Sequence, residues 1–313
     1  MLRVVSRRLL ITVPTLLGVV LVALLLVDLM PGDPATIMAG ERATPEAVES
    51  IREDLGLDQP FVARFADYVG GVLRGDLGES PGSGTPVWDR IAEALPVTFS
   101  LGLVAMVLAV VGGVATGVAA ALHQGRWIDQ AVTGVSSVLL AVPSFVVGLA
   151  LVIAFAVNRS ILPASGYEPI SSGLWPWLER LILPGAALAL ASGAELARQT
   201  RGALVDTMEQ DFIRAHRAKG LGRWRVLAKH AAKNAATPVT TVAGLQITRM
   251  LGGAIVVERI FGMHGFGELA VNAVLTRDLV LIQGVVLVSA VVVLLVNLLV
   301  DLSHAYLNPQ VRA

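Results

Sequence analysis

The side chains able to do chemistry are few, because most of this chain is apolar. Arg249, with Thr241, Gln246 and Thr248 near it, sits in one hydrophobic run, and Glu195 sits in another. An ionisable residue inside such a run is costly and is by default a functional candidate. The chemistry open to this set is electrostatic. Arg249 can bind a carboxylate, helped by the amide and hydroxyls beside it, or it can neutralise Glu195.

A second cluster is basic. Asp211 to Pro238 reads DFIRAHRAKGLGRWRVLAKHAAKNAATP, with Arg214, Arg217, Lys219, Arg223, Arg225, Lys229 and Lys233 against the single acid Asp211. Arg214 and Arg217, three apart, offer guanidinium forks to carboxylates on another protein. Covalent and metal chemistry are poorly supplied. The five histidines have neither HxxxH nor HExxH spacing, so a catalytic zinc site is not expected. Met263 and His264 are two ligands, which do not make a transition-metal site. Cysteine is absent, which excludes disulfides and thiolate sites. The phosphate-loop pattern GxxxxGK and metal-ligand spacing are missing, so hydrolysis of ATP or of another bond is not expected on this chain.

The elements that must position these residues are membrane spans. Hydrophobic residues make up 55% of the chain, charged ones 15%, and the mean hydropathy is +0.71, which is the signature of a multispanning protein. Arg3, Arg7 and Arg8 precede an apolar run, Leu9 to Val27. It is too long for a signal-peptide core and reads as an uncleaved first span. Five more runs match the length needed to cross a bilayer: Val97–Leu122, Ala131–Val157, Leu181–Leu204, Val239–Val257 and Val280–Leu302. Six spans put both termini on one side. The basic start, the turn from His123 to Trp127, the 211–238 loop and the tail with Arg312 share that side, while the acid-rich segment 30–96 lies opposite. Positive charge therefore assigns both termini to the cytoplasm.

Within 30–96, Thr44 as N-cap, Pro45 at the first helical position and Glu46 in the first turn begin a helix. Apolar residues at Val48, Ile51 and Leu55, then Phe61, Phe65, Tyr68, Val69 and Val72, give it a packed face. In the spans, small residues such as Gly113, Gly117, Gly193 and Gly244 permit close helix contacts in lipid. Pro143, Pro184 and Pro238 kink or start helices. Trp175 and Trp177 read as interfacial anchors.

Arg249 is about 11 residues into the fifth span, roughly 16 Å deep, and Glu195 is about 9 residues from the same side, roughly 14 Å. The matched depths predict a pair, with Gln246 on the face of Arg249. The basic loop predicts two short helices, Asp211–Lys219 and Arg223–Asn234, parted by Gly220–Gly222. Asp211 would cap the first, Ala215 and Ala218 would leave a shallow face, and Gly220 would form a left-handed C-cap. Pro238 fits the first turn of the fifth span.

The run Asp211 to Leu221 resembles the EAA coupling loop of ABC importer permeases of the dipeptide/oligopeptide/nickel family. The resemblance extends along the chain through Pro31-Gly32-Asp33-Pro34, Leu55-Gly56-Leu57-Asp58-Gln59-Pro60, Gly75-Asp76-Leu77-Gly78, Pro143-Ser144-Phe145, Leu162 to Tyr167, Leu251-Gly252-Gly253-Ala254, Glu258-Arg259-Ile260-Phe261, Asn297 to Leu302, and Asn308-Pro309. The long first outer loop is similar to that of B-type permeases. His216 stands where the family usually has alanine, Thr237 where an apolar residue is usual, and Met263–Gly267 where a tryptophan–proline turn is usual.

The resemblance implies an all-α integral membrane fold, the six-helix transmembrane domain of a type I ABC importer. Residues 1–29 would be the tail and first helix, 30–96 the extracytoplasmic helical loop, 97–304 the type-1 domain with its coupling loop 211–238, and 305–313 a cytoplasmic tail. It implies a permease in a bacterial inner membrane that does no chemistry itself and imports di- and oligopeptides. Its partners would be a second, C-type permease, two cytoplasmic ATPases and an extracytoplasmic solute-binding protein. ATP and magnesium would bind the ATPases, with no cofactor on this chain and no nucleic-acid partner. Import of nickel chelates or another small solute is the alternative within the family. An ion-coupled secondary transporter would show inverted repeats and broken midplane helices, and the sequence displays neither.

Overall fold

The computed structural model describes residues 2–29, 33–39, 44–54, 56–81 and 83–307. Pro31, Gly32 and Leu55 of the resemblance, and the tail with Asn308, Pro309 and Arg312, lie outside the described residues. The chain divides into two compact units, residues 1–96 with 265–298 and residues 97–264 with 299–313.

In the first unit, α1 (Leu2–Asp28) is followed by α2 (Pro34–Ala39), α3 (Pro45–Asp54), α4 (Phe61–Leu73) and a short antiparallel hairpin, β1 (Glu79–Ser80) with β2 (Thr85–Pro86). Thr44 Oγ1 accepts from the Ala47 N–H at 3.3 Å, the expected cap of α3. Asp33 caps α2 in the same way, accepting from Thr36, and receives Arg52 at 2.8 Å. Arg64 of α4 ties to Asp28 at the end of α1 at 2.5 Å. The apolar stripe of α4 (Phe61, Phe65, Tyr68, Val69, Val72) packs against a core containing Val20, Leu24, Leu77, Val87 and Ile91. Burial there pushes the Tyr68 phenol up to about 12. Helix α5 (Val87–Leu122) begins in this unit. So do α12 (Phe266–Leu275) and α13 (Leu279–Leu307), where buried Asp278 accepts from Ser80 Oγ and from the Leu281 N–H.

The second unit carries most of the long spans. After α5 come α6 (Trp127–Ala141), α7 (Ser144–Leu151), α8 (Leu174–Met208), α9 (Asp211–Ala218), a three-residue α10 (Arg223–Arg225) and α11 (Ala232–Ile260). Helices α5, α8, the run Val226–Ile260 and Leu279–Leu302 are each long and apolar enough to cross a membrane. Large apolar side chains such as Leu103, Val107 and Val111 of α5 are exposed on their faces, as lipid-facing residues are.

The expected continuous span from Ala131 to Val157 is not observed. Helix α6 stops at Ala141, the chain bends by 104°, and α7 continues through a π-helical turn, Val152–Val157. The cause is Pro143. Its ring drives the preceding residue out of helical geometry, and Val142 is extended at φ −88°, ψ 125°. Pro184 and Pro238, by contrast, stay inside α8 and α11.

Helices α5 and α8 meet through glycine. A Cβ added at Gly113 would lie 2.5 Å from the carbonyl oxygen of Gly193, and one at Gly117 2.5 Å from that of Ala197. No larger residue fits, so backbones approach where lipid gives hydrophobicity no part in association. Around this contact Leu101, Leu181, Leu188, Leu196, Val257 and Phe261 close the core.

Candidate functional site

The basic loop builds the most distinctive surface. Helix α9 carries one deeply buried side chain, Ile213, with Phe212 and His216 half-buried beside it. Ile213 and Phe212 pack with Leu204 of α8 and with Val226, Leu227, Ala231 and Ala235. At 3.6 residues per turn, Ala218, Asp211, Ala215 and Arg214 fall on the opposite face, and all four are exposed. The short helix is thus pinned from one side and open on the other. Arg214 reaches Asp211 at 3.3 Å. Both side chains are largely solvated, so this pair holds neither tightly and both remain available to a partner. Arg217 departs from the expected outer pairing with Arg214. It lies on the flank, with Nη2 3.8 Å from Met208 Sδ.

The end of α9 matches the expected cap. Gly220 has φ +78°. Its N–H donates to the Arg217 carbonyl at 2.9 Å, and the Leu221 N–H donates to the His216 carbonyl at 3.3 Å. This is the Schellman pattern, in which a left-handed glycine satisfies the last carbonyls. The start differs from expectation. Gln210 is the extended N-cap residue, and Asp211 is the first residue of the helix, where its charge still favours the N-terminal dipole.

The expected second short helix is also absent as a separate element. From Val226 the chain runs unbroken to Ile260, through a π-helical turn at Val226–Ala231 and past Pro238. Val226, Leu227, Ala231 and Ala235 recur on one buried face, and that burial holds the helix through the proline that local preference would place at its start. His216, the residue unusual for the family, stacks on His230 of this run with ring centroids 3.9 Å apart and Phe212 edge-on. It bolts α9 to the base of the long helix.

The intramembrane residues separate. Glu195 pairs with Arg198 one turn away at 2.9 Å, and not with Arg249. Gln246 is buried and accepts from Ser192 Oγ of α8 at 3.2 Å, so it does not share the face of Arg249. Sixty degrees between positions three apart is enough to cross the edge of the buried stripe of Gln246, Met250 and Ala254. Thr248 is half-buried. Thr241 and Arg249 are exposed, with Leu245 and Val256 continuing their line. Thr241 Oγ1 donates back to the Thr237 carbonyl at 3.0 Å. Arg249 makes no ion pair among the described residues.

Two polar contacts are absent from the sequence reading. Arg201 of α8 grips Asp129 in the first turn of α6 with Nε and Nη2 on one edge of its guanidinium, Nη2 to Oδ2 being 2.7 Å, and the Gly125 N–H donates to the same carboxylate at 2.9 Å. The signal was available, since Arg201 is a third charge, after Glu195 and Arg198, within the run Leu181–Leu204. Glu258, wholly buried, accepts from Thr98 Oγ1 and links α11 to α5. It stands one residue beyond the predicted span, and its depth is not legible from composition.

Comparison with known proteins falls in line with these features. The family described as binding-protein-dependent transport system inner membrane component matches residues 113–313, and its N-terminal companion matches residues 1–102. The chain is 39% identical over 312 residues to the glutathione transport system permease protein GsiC of Escherichia coli O6:H1, covering 100% of this chain and 99% of that one. It is 36% identical over 336 residues to the dipeptide transport system permease protein DppB of Escherichia coli (strain K12), with the same coverage. A chain from solved inward-facing structures of the MetNI methionine ABC transporter superposes with a TM-score of 0.57 at 15% identity, covering 70% of this chain and 96% of that one. At that identity the likeness is one of fold.

Proposed function

We propose the following role for this chain, which belongs to the binding-protein-dependent transport system inner membrane component family. It is the permease subunit of an ATP-driven importer of di- and oligopeptides, the substrate class matching the names of relatives such as DppB and GsiC. The observation that carries the mechanism is the two-sidedness of α9. Its inner face is fixed by Ile213 and the His216–His230 stack, and its outer face offers Asp211, Arg214, Ala215 and Ala218.

A partner ATPase that grips the outer face moves a rigid body, because α8 enters α9 through a two-residue link and the long helix leaves it through Gly220. Closure of two such ATPases, on this chain and on a second permease, rocks α8 and the run Val226–Ile260. Each of these is 35 residues, about 50 Å of helix against about 30 Å of hydrocarbon. Both therefore reach past the bilayer to the cytoplasm, the side on which the basic residues also place the termini.

The exposed line of Thr241, Leu245, Arg249 and Val256 faces the second permease and walls the path, where Arg249 meets the carboxylate of a peptide released by the solute-binding protein. Six spans, counting α1 and the bent α6–α7 pair as one each, complete this arrangement, with 30–96 outside and 97–304 as the permease domain. The chain contributes no bond chemistry. ATP and magnesium belong to the ATPases.

The test is coupling. In the reconstituted transporter, Arg214→Glu with Ala215→Glu, or Gly220→Pro alone, leaves the spans inserted and separates ATP hydrolysis from peptide uptake. Normal uptake per ATP in both variants contradicts the role given to α9.

A further inference from the structure

We propose that a cleft at the cytoplasmic end of the second unit binds the phosphate headgroup of an anionic phospholipid. The cleft has a volume of about 460 Å³ and lies between the end of α5, the end of α8, α9 and α10. Its polar lining is His123, Gln124, Arg126, Arg217 and Trp224, over a floor that includes Leu204 and Leu227. No carboxylate lines it. Neither guanidinium has a carboxylate partner among the described residues, and the contact of Arg217 is the thioether of Met208. Two arginines converge on one space with their strongest donors unspent.

The position names the source of the anion. The cleft opens where two apolar spans end, and two tryptophans, Trp127 at 75% and Trp224 at 72% exposure, stand beside it. Exposed indole rings settle at headgroup depth. A basic pocket between span ends on the cytoplasmic side meets a leaflet of negative surface potential, and there it selects lipid phosphate. The apolar floor receives the glycerol end while Arg126 and Arg217 fork the phosphate oxygens. The tight turn that presents Arg126 is set by Gly125 at φ +75°, and the Arg126 N–H donates to the His123 carbonyl at 2.9 Å. The inference rests on the span orientation given above and is independent of the cargo.

The experiment uses the assembled transporter reconstituted in vesicles of phosphatidylcholine alone or of equal parts phosphatidylcholine and phosphatidylglycerol, then re-extracted and weighed intact by native mass spectrometry. Wild-type complex retains phosphatidylglycerol over phosphatidylcholine. Arg126→Gln lowers that retention about fivefold, in keeping with about 1 kcal/mol for one arginine near the surface, and Arg126→Lys restores most of it. Co-purification of the ATPases is scored in the same samples. Equal retention of the two lipids by wild type overturns the proposal, as does unchanged retention in Arg126→Gln. If Arg126→Gln releases the ATPases and leaves lipid retention intact, the cleft is a protein contact and the proposal fails.

Discussion

Helix α8 and the run Val226–Ile260 flank α9, have equal length and are both apolar enough to cross a membrane, yet they are built differently. Along α8 small and apolar residues are buried for most of the helix, and the charges in its apolar run are engaged: Glu195 with Arg198, Arg201 with Asp129. The other helix buries one stripe, including Gln246, Met250 and Ala254, and leaves Thr241, Leu245, Arg249 and Val256 open. A clamped arginine and an open arginine lie on helices of the same kind. The difference teaches that charge inside a span marks a function only after its partner is known. Helix α8 is held like a strut, and α11 leaves one face exposed, the face proposed above to wall the path.

The strut breaks most severely at glycine. Gly117→Leu forces a side chain onto the Ala197 carbonyl and is expected to cost more than about 3 kcal/mol, read as failure to assemble or a collapse of the melting temperature in detergent. Removing the clamp comes next. Asp129→Ala leaves the partly exposed Arg201 without its counter-ion, at a cost of about 2 kcal/mol. In a double-mutant cycle, adding Arg201→Ala is expected to recover part of that loss. The wall responds otherwise. Arg249→Gln should melt like wild type while peptide uptake falls about tenfold, equivalent to about 1.4 kcal/mol of lost carboxylate binding. A lowered melting temperature there would turn Arg249 back into a structural residue. The smallest effect belongs to the hinge between the helices. Gly220→Ala strains a backbone at φ +78° by about 1 kcal/mol, visible as a modest loss of uptake per ATP with assembly unaltered.

Much of this was legible beforehand, for reasons that differ by residue. Gly220 as a left-handed cap follows from local backbone chemistry, and so does the Thr44 cap of α3. Both appear as expected. The stripe of α4 from Phe61 to Val72 follows from periodicity. What escaped depends on tertiary choice. Pro143 breaks a span and Pro238 does not, because buried neighbours at Val226, Leu227, Ala231 and Ala235 hold the second helix together. Equal depth pointed to Glu195 with Arg249, but depth carries no azimuth, and a partner one turn away at Arg198 was nearer. His216 stood out only as a departure from the family, and its stack on His230 required the fold.

The central claim is that the outer face of α9 meets an ATPase while its inner face does not. The chain has no cysteine, so a single introduced thiol reports without background. Ala215→Cys and Ala218→Cys are expected to crosslink to the ATPase subunit in the assembled transporter, more strongly when ATP hydrolysis is trapped, while Ile213→Cys gives no product. Crosslinking absent from both alanine positions, or equal from Ile213, would contradict the account.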